Sequence, residues 1–318
     1  MKTYCNINYT HSTYNLSQAH IHTNNAFYLA FKSKLHDYKM LSKFGLSMTV
    51  VVSAMFGFYM GLNSTVSIYM WLLFVISGFL VTISSNTFNQ ILEKDTDKLM
   101  KRTMNRPLAT GRMSSTEALL FAGFSGLIGI VCLWYFFNVN AAIVGMLSLF
   151  TYSFIYTPLK KVSPIAVFIG AFPGAFPVII GYLAANGGHY DVEVWYLFAI
   201  QFIWQFPHFW AIAWLGDSDY KNAGFNLLPT HDGKSTGTAL LCIMYIVSLI
   251  IIVAYYCITR NFYIATTCST IIIGLFFLYY AYRLLHIQSD QAARKLMFAS
   301  IIYLPLLQLF FCLDKIIH

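Results

Sequence analysis

Nine mostly apolar stretches, each about 20 residues long, recur along this 318-residue chain: roughly 45–62, 66–88, 116–137, 140–157, 163–185, 194–215, 237–258, 262–283 and 295–313. About 20 apolar residues in a helix cross the hydrocarbon core of a bilayer. Inside lipid, every backbone polar group needs a partner within the protein, which leaves helices or closed barrels. Stretches of this length point to helices. Charged residues make up only 10% of the chain, against about 25% in a soluble domain, too few to clothe a water-facing surface. The expected fold is all-α: a polytopic membrane protein with about nine spans in one bundle.

The basic residues give an orientation. With a cytoplasmic N-terminus, eighteen of the twenty Lys and Arg residues fall in the tail and in the loops after spans 2, 4, 6 and 8; only Arg260 and Lys315 fall on the other side. Loops rich in Lys and Arg stay cytoplasmic, so the split predicts N-in and C-out. Residues 1–37 read as a polar tail with a short interfacial helix near its end, and 38–318 as the membrane domain. The tail has neither the apolar core of a secretory signal nor the Arg-rich pattern of a transit peptide. This favours a bacterial inner membrane. The net charge of +8 therefore records topology, and no basic run with interleaved aromatics suggests nucleic-acid binding. Six scattered cysteines without a CxxC pair read as small hydrophobes.

Orientation requires no acids, yet residues 86–112, "NTFNQILEKDTDKLMKRTMNRPLATGR", set three acids among six bases directly behind span 2. Asn89, Glu93 and Asp97 repeat at intervals of four. On a helix they share a face and form a column of oxygen donors suited to Mg²⁺, which is typically held by a few carboxylates together with substrate phosphates. Arg102, Arg106 and Arg112 follow, and arginine matches phosphate geometry. On the same side, Tyr156 and Lys160 form a YxxxK pair after span 4. Span 6 carries Gln201, Gln205 and His208, polar positions that are costly within a membrane. Asp217, Asp219 and Lys221 stand at its exit. His208 is open to three readings: a satisfied interior histidine, a substrate contact or an iron ligand.

The string N-x3-E-x2-T-D-x2-M-x-R-T-x2-R-x4-G, from Asn89 to Gly111, resembles the signature of the UbiA-type intramembrane prenyltransferases, with Glu93 where many relatives carry Asp. The segments "NRPLATGRMS", "YTPLKKVSPIAVFIGAFPGAFPVIIGY" and "WQFPHFWAIAW" with "DY" and "AGFNLLP" are similar to the protoheme IX farnesyltransferase branch over about residues 38–310. That resemblance implies Mg²⁺-assisted transfer of farnesyl from farnesyl diphosphate to a vinyl group of protohaem IX, making haem O at the cytoplasmic face. Diphosphate leaves, the vinyl π-bond attacks the allylic cation and water quenches the new cation. It further implies metal ligation by Asn89, Glu93, Asp97 and Asp219, diphosphate binding by Arg102, Arg106, Tyr156, Lys160 and Lys43, and haem or second-site roles among His208, Gln205, Arg112 and Lys221. Association with a haem A synthase or terminal oxidase is implied by family alone. Two departures stand out. Lys43 is followed by Phe44-Gly45 rather than Pro-Arg, and Lys221 replaces the second acid of a DxxxD after span 6.

Two other readings stay open. A relative acting on a quinone precursor or a chlorophyll-like ring would share the first motif but not the His208–Asp219 segment. A transporter or channel would need paired broken helices at midplane, and the charges here lie at the membrane surface instead.

Overall fold

In the computed structural model of the protein, described for residues 28–29, 31–230 and 232–317, every regular element is helical. Most of the expected tail, residues 1–27, lies outside the described residues. A first helix, α1 (31–41), is followed by α2 (Phe44–Gly61), α3 (Ile68–Asp97), α4 (Ser115–Phe136) and α5 (Val139–Leu159). After these come α6 (Ala166–Ala185), α7 (Val192–Leu215), the short α8 (Asp217–Asn222), α9 (Thr236–Thr259), α10 (Ile264–Ile287) and α11 (Asp290–Ile317). Eight of these are long and apolar enough to cross a membrane. Helix α7 occupies the expected sixth span and has 24 residues. Its Gln201, Gln205 and His208 lower its apolarity.

The helix starts follow from capping. Ser114, Asn138, Asp191 and Ser235 each accept a backbone N–H from the first turn that follows, at α4, α5, α7 and α9 respectively. Exposed Leu120, Phe124, Leu127, Met244, Ile251 and Ile272 form an apolar girdle on the outside of the bundle. Such a surface suits lipid rather than water. The five described cysteines are free thiols.

Side-chain bonds knit the helix ends into two groups. At one end, Lys34 and Tyr38 of α1 reach Glu117 at the start of α4, Lys43 before α2 reaches Asn89 on α3, and Lys234 before α9 pairs with Asp290 of α11. At the other end, Asn138 before α5 donates to the Leu183 carbonyl of α6. Arg260 after α9 pairs with Glu193 of α7, and Lys315 of α11 donates to the carbonyls of Tyr59, Met60 and Leu62 at the end of α2. The first end holds the basic loops, the second the two remaining bases.

Helix α6 is the most buried of the eight apolar helices, and its contact with α2 depends on glycine. A Cβ at Gly57 would lie 2.1 Å from the Val178 carbonyl oxygen, one at Gly61 2.5 Å from that of Tyr182, and one at Gly181 2.0 Å from that of Ala54. Small residues four apart let membrane helices approach backbone to backbone, and Gly57 and Gly61 form such a pair. Gly57→Leu is expected to force α2 off α6 and to cost about 3 kcal/mol, at the upper end for overpacking. A clear fall in melting temperature in detergent is the expected readout; a wild-type melting curve would contradict the close approach.

Candidate active site

Helix α3 does not stop at residue 88 but continues to Asp97. This extension carries Asn89, Glu93 and Asp97 on one face, all buried, at 1%, 4% and 1% exposure. Two buried carboxylates at a helix C-terminus are unfavourable by themselves, because the helix already presents negative partial charge there. Three cations offset this. Lys43 Nζ donates to Asn89 Oδ1 at 2.7 Å, Lys160 Nζ to Glu93 Oε1 at 2.6 Å, and Arg106 Nη1 to both Asp97 carboxylate oxygens at 2.8 Å.

Each cation is placed by a different element. Lys43 sits in the left-handed region, φ 46°, at the corner between α1 and α2. Gln90 of α3 fixes that corner by donating to the carbonyls of Met40 and Leu41, and Asn86 does so through Ser47. Burial, with Arg106 and Lys160 close by, pushes the Lys43 ammonium well below its ordinary pKa range, against the pull of Glu93 and Asp97. Arg106 lies in the turn-rich segment after α3, which Thr103 closes by donating to the Asp97 carbonyl.

Lys160 follows a six-residue π-helical turn, Thr151–Tyr156, within α5. Such turns are rare and gather at functional sites. Here Thr157 accepts from Asn89 Nδ2 at 3.1 Å and donates to the Tyr152 carbonyl, so α5 and the α3 column lock together. Lys160 Nζ stands 4.7 Å from the Tyr156 ring centroid and 5.7 Å from that of Phe225. Gly170 of α6 makes room for Tyr156, whose ring carbon would lie 2.6 Å from a Cβ there.

These groups face a cavity of about 280 Å³. Lys43, Arg102, Arg106 and Lys160 line it against Glu93 and Asp97, four basic side chains to two carboxylates, a surplus suited to an anion. His208, Phe209 and Ile212 of α7 form the wall, with Tyr220 and Phe225 beyond. Arg102 donates to the Tyr220 hydroxyl at 3.3 Å. His208 Nδ1 lies 2.7 Å from Ser300 Oγ, whose own proton goes to the Met297 carbonyl. A second, apolar cavity of about 190 Å³ shares Leu46, Tyr152, Tyr156 and Phe209 with the first and extends it into the bundle between α2, α3, α5 and α6.

Several expected site residues stand elsewhere. Gln205 is buried and donates to the carbonyls of Ala171 and Gln201, tying α7 to α6. Arg112 bonds Asp37 and the Asn105 carbonyl, fastening α1 to the segment after α3. Lys221 pairs with Asp217 within α8. Asp219 does not line the cavity, although its neighbour Tyr220 does. Among the described residues, no three His, Cys, Asp or Glu side chains gather closely enough to hold a metal by themselves. The α3 column nonetheless suits a hard divalent cation shared with substrate. Its donors are all oxygen, and the C-terminal end of a helix favours positive charge. Thr157, Tyr152, Tyr220 and Phe225 are site residues that sequence reasoning missed. Only Pro158, just past the π turn, marks the place in the sequence.

Residues 50–302 match the model of the UbiA prenyltransferase family. The protoheme IX farnesyltransferase of Cytophaga hutchinsonii is 46% identical over 89% of this chain and 99% of its own length. That of Flavobacterium johnsoniae is 42% identical over 91% and 98%. Among solved structures, a digeranylgeranylglyceryl phosphate synthase covers 90% of this chain and 100% of its own, with a TM-score of 0.75 at 22% identity. A UbiA homolog from Archaeoglobus fulgidus bound to GPP and Mg²⁺ covers 86% and 99%, with a TM-score of 0.64 at 15% identity. These two share the fold. The chain belongs to the UbiA prenyltransferase family: it is a multi-pass membrane prenyltransferase whose full-length relatives include the protoheme IX farnesyltransferases.

Proposed function

We propose that the protein transfers the farnesyl group of farnesyl diphosphate to a vinyl group of protohaem IX, making haem O, at the cytoplasmic face of a bacterial inner membrane. The observation that carries the reading is the joined pair of cavities, one ringed by cations around two carboxylates and one apolar. A prenyl diphosphate has the same two halves. The names of the full-length relatives support protohaem as acceptor. The division of bases between the two bundle ends supports nine spans, N-in and C-out, with 38–318 as the catalytic unit.

The reacting bond joins the first prenyl carbon to a phosphate oxygen. Lys43, Lys160, Arg102 and Arg106 hold the diphosphate and stabilise the negative charge that grows as it departs. Asn89, Glu93 and Asp97 would hold divalent ions together with the diphosphate, and such ions supply further charge neutralisation there. Arg106 and Lys160, now bonded to Asp97 and Glu93, then turn to phosphate. The tunnel keeps the prenyl tail dry, and the rings of Tyr152, Tyr156 and Phe209 at its mouth face the allylic carbon and stabilise positive charge on it. Protohaem approaches the His208–Phe209 wall. Its vinyl group forms the new carbon–carbon bond, water adds to the resulting cation, and the imidazole of His208 accepts the released proton.

Purified protein incubated with farnesyl diphosphate and protohaem should yield haem O by mass. Product from an aromatic acid and none from protohaem would overturn the acceptor assignment. Treatment with a chelator should abolish turnover, and added Mg²⁺ should restore it; activity undiminished after exhaustive chelation would remove the metal from the scheme.

A further inference from the structure

His208, on the wall of the cation-lined cavity, is seated from behind by a single residue of α11. Ser300 is fully buried, at 0% exposure, and both of its oxygens meet α7. Its Oγ stands 2.7 Å from His208 Nδ1, and its carbonyl accepts the indole N–H of Trp204 at 2.9 Å. Trp204 precedes His208 by one turn and lies nearly flat against it, with ring centroids 5.0 Å apart and planes 16° apart. One residue therefore grips the imidazole by an edge and also pins the indole on which it rests.

Neither Ser300 nor Trp204 lines the cavity. With Nδ1 engaged on the α11 side, Nε2 is the ring nitrogen left for the cavity, and it makes no hydrogen bond among the described residues. The grip does not depend on the tautomer. With its own proton on the Met297 carbonyl, 2.5 Å away, the hydroxyl accepts from a protonated Nδ1; turned round, it donates to a bare one. It therefore also serves the imidazolium, in which both nitrogens are donors. A histidine ring that nothing holds rotates about two torsions. A proton acceptor must stand within about 3 Å of the group whose proton it takes, and a displacement of about 1 Å can cost on the order of 10²-fold.

We propose that Ser300 is the positioning residue of His208: its hydroxyl and carbonyl hold the imidazole and the Trp204 ring behind it, so that Nε2 meets the water that ends the reaction. This role rests on the prenyl-transfer reading and deepens it. After the vinyl group has bonded to the prenyl carbon, the positive charge sits on the vinyl carbon attached to the haem ring. Water adds there through its oxygen, and one of its protons passes to the imidazole, which leaves the hydroxyl of haem O. A competing path needs no acceptor at that place. The neighbouring carbon loses a proton to solvent, the electrons of its C–H bond form a double bond, and the product lacks the elements of water. A well-placed imidazole favours the first path.

The test is the ratio of haem O to this dehydrated product, read by mass after one reaction with farnesyl diphosphate and protohaem. The ratio is set within each turnover, so a loss of folded enzyme lowers both products alike and leaves it unchanged. His208→Phe keeps a stacked ring and should lower the ratio on the order of 10²-fold, the lower end of what a positioned acid–base group contributes. Ser300→Ala leaves the imidazole present but loose and should lower it about tenfold. In Ser300→Ala/His208→Phe the ratio should equal that of His208→Phe alone, because Ser300 acts only through the imidazole. If Ser300→Ala does not fold, Ser300→Cys replaces the hydroxyl by a weak hydrogen-bonding group of similar shape and should move the ratio in the same direction. An unchanged ratio in the Ser300 variant, or a double variant below His208→Phe, would overturn the assignment. So would a wild-type ratio in His208→Phe, since the ring would then have no proton to take. Inactivity of wild type with these two substrates would defeat the prenyl-transfer reading instead, so the failures are distinct.

Discussion

Asp97→Asn is expected to lower kcat by on the order of 10³-fold while the protein remains folded. The carboxylate is 1% exposed and accepts two bonds from Arg106. An amide has nearly the same shape and can still accept one of them, so the fold is kept, although the Arg106 guanidinium loses its buried counter-charge. The chemistry loses more. A neutral oxygen holds a divalent ion poorly, and charge stabilisation of this kind is worth several kcal/mol, each 1.36 kcal/mol being a factor of ten in rate. The control lies two residues away on the same helix. Asp95 points outward, is 74% exposed at its side chain and pairs only with Lys98. Asp95→Asn should leave turnover unchanged, since an exposed pair is worth little. Equal effects at 95 and 97 would mean that net charge at the membrane surface, rather than the buried column, supports catalysis. An Asp97→Asn enzyme within tenfold of wild type would dispose of the metal assignment.

The contrast between Asp95 and Asp97 also marks how far the sequence could be read. Asn89, Glu93 and Asp97 were legible because a period of four puts side chains on one helical face whatever the rest of the fold does. Lys43, Tyr156 and Lys160 were legible as charged or aromatic groups at the basic end of the bundle, but their partners were not. Lys160 and Glu93 are 67 positions apart, and no local rule relates them. Arg112 shows the converse error. By sequence it is a haem or second-site candidate, and the docking of α1 gives it Asp37 as a partner. Lys221 and Gln205 were claimed in the same way by local neighbours. Asp219 depended on the orientation of a six-residue helix, which spacing does not determine. The π turn had no signature beyond Pro158, because the bond it changes is a backbone bond. The Gly57–Gly61 pair lay in plain sight inside an apolar run, but its partner, Gly181, is visible only once α2 and α6 are packed.

Lys160→Ala is expected to reduce kcat/KM by about 10²- to 10³-fold, the usual loss when one preorganised donor to a developing anion is removed. Two explanations of that loss are possible, and the contacts of Lys160 allow them to be separated. In the first, Lys160 only neutralises Glu93 at 2.6 Å. In the second, it also binds diphosphate once Glu93 turns to metal. If neutralisation were the whole role, removing the Glu93 charge would make Lys160 dispensable, and Lys160→Ala/Glu93→Gln would be no slower than Glu93→Gln alone. If Lys160 binds the leaving group, the double variant should be slower still, and KM for the prenyl diphosphate should rise only where Lys160 is missing. Groups in contact are expected to be non-additive, so the sign of the coupling distinguishes the two roles. Lys160→Arg adds a steric criterion. The ammonium stands between Tyr156 and Phe225 at 4.7 and 5.7 Å, and a planar guanidinium needs more room than that gap provides. Arginine should therefore restore the charge but only part of the rate. Full recovery with arginine, together with a double variant no slower than Glu93→Gln, would reduce Lys160 to a counter-ion and leave Lys43, Arg102 and Arg106 as the diphosphate-binding set.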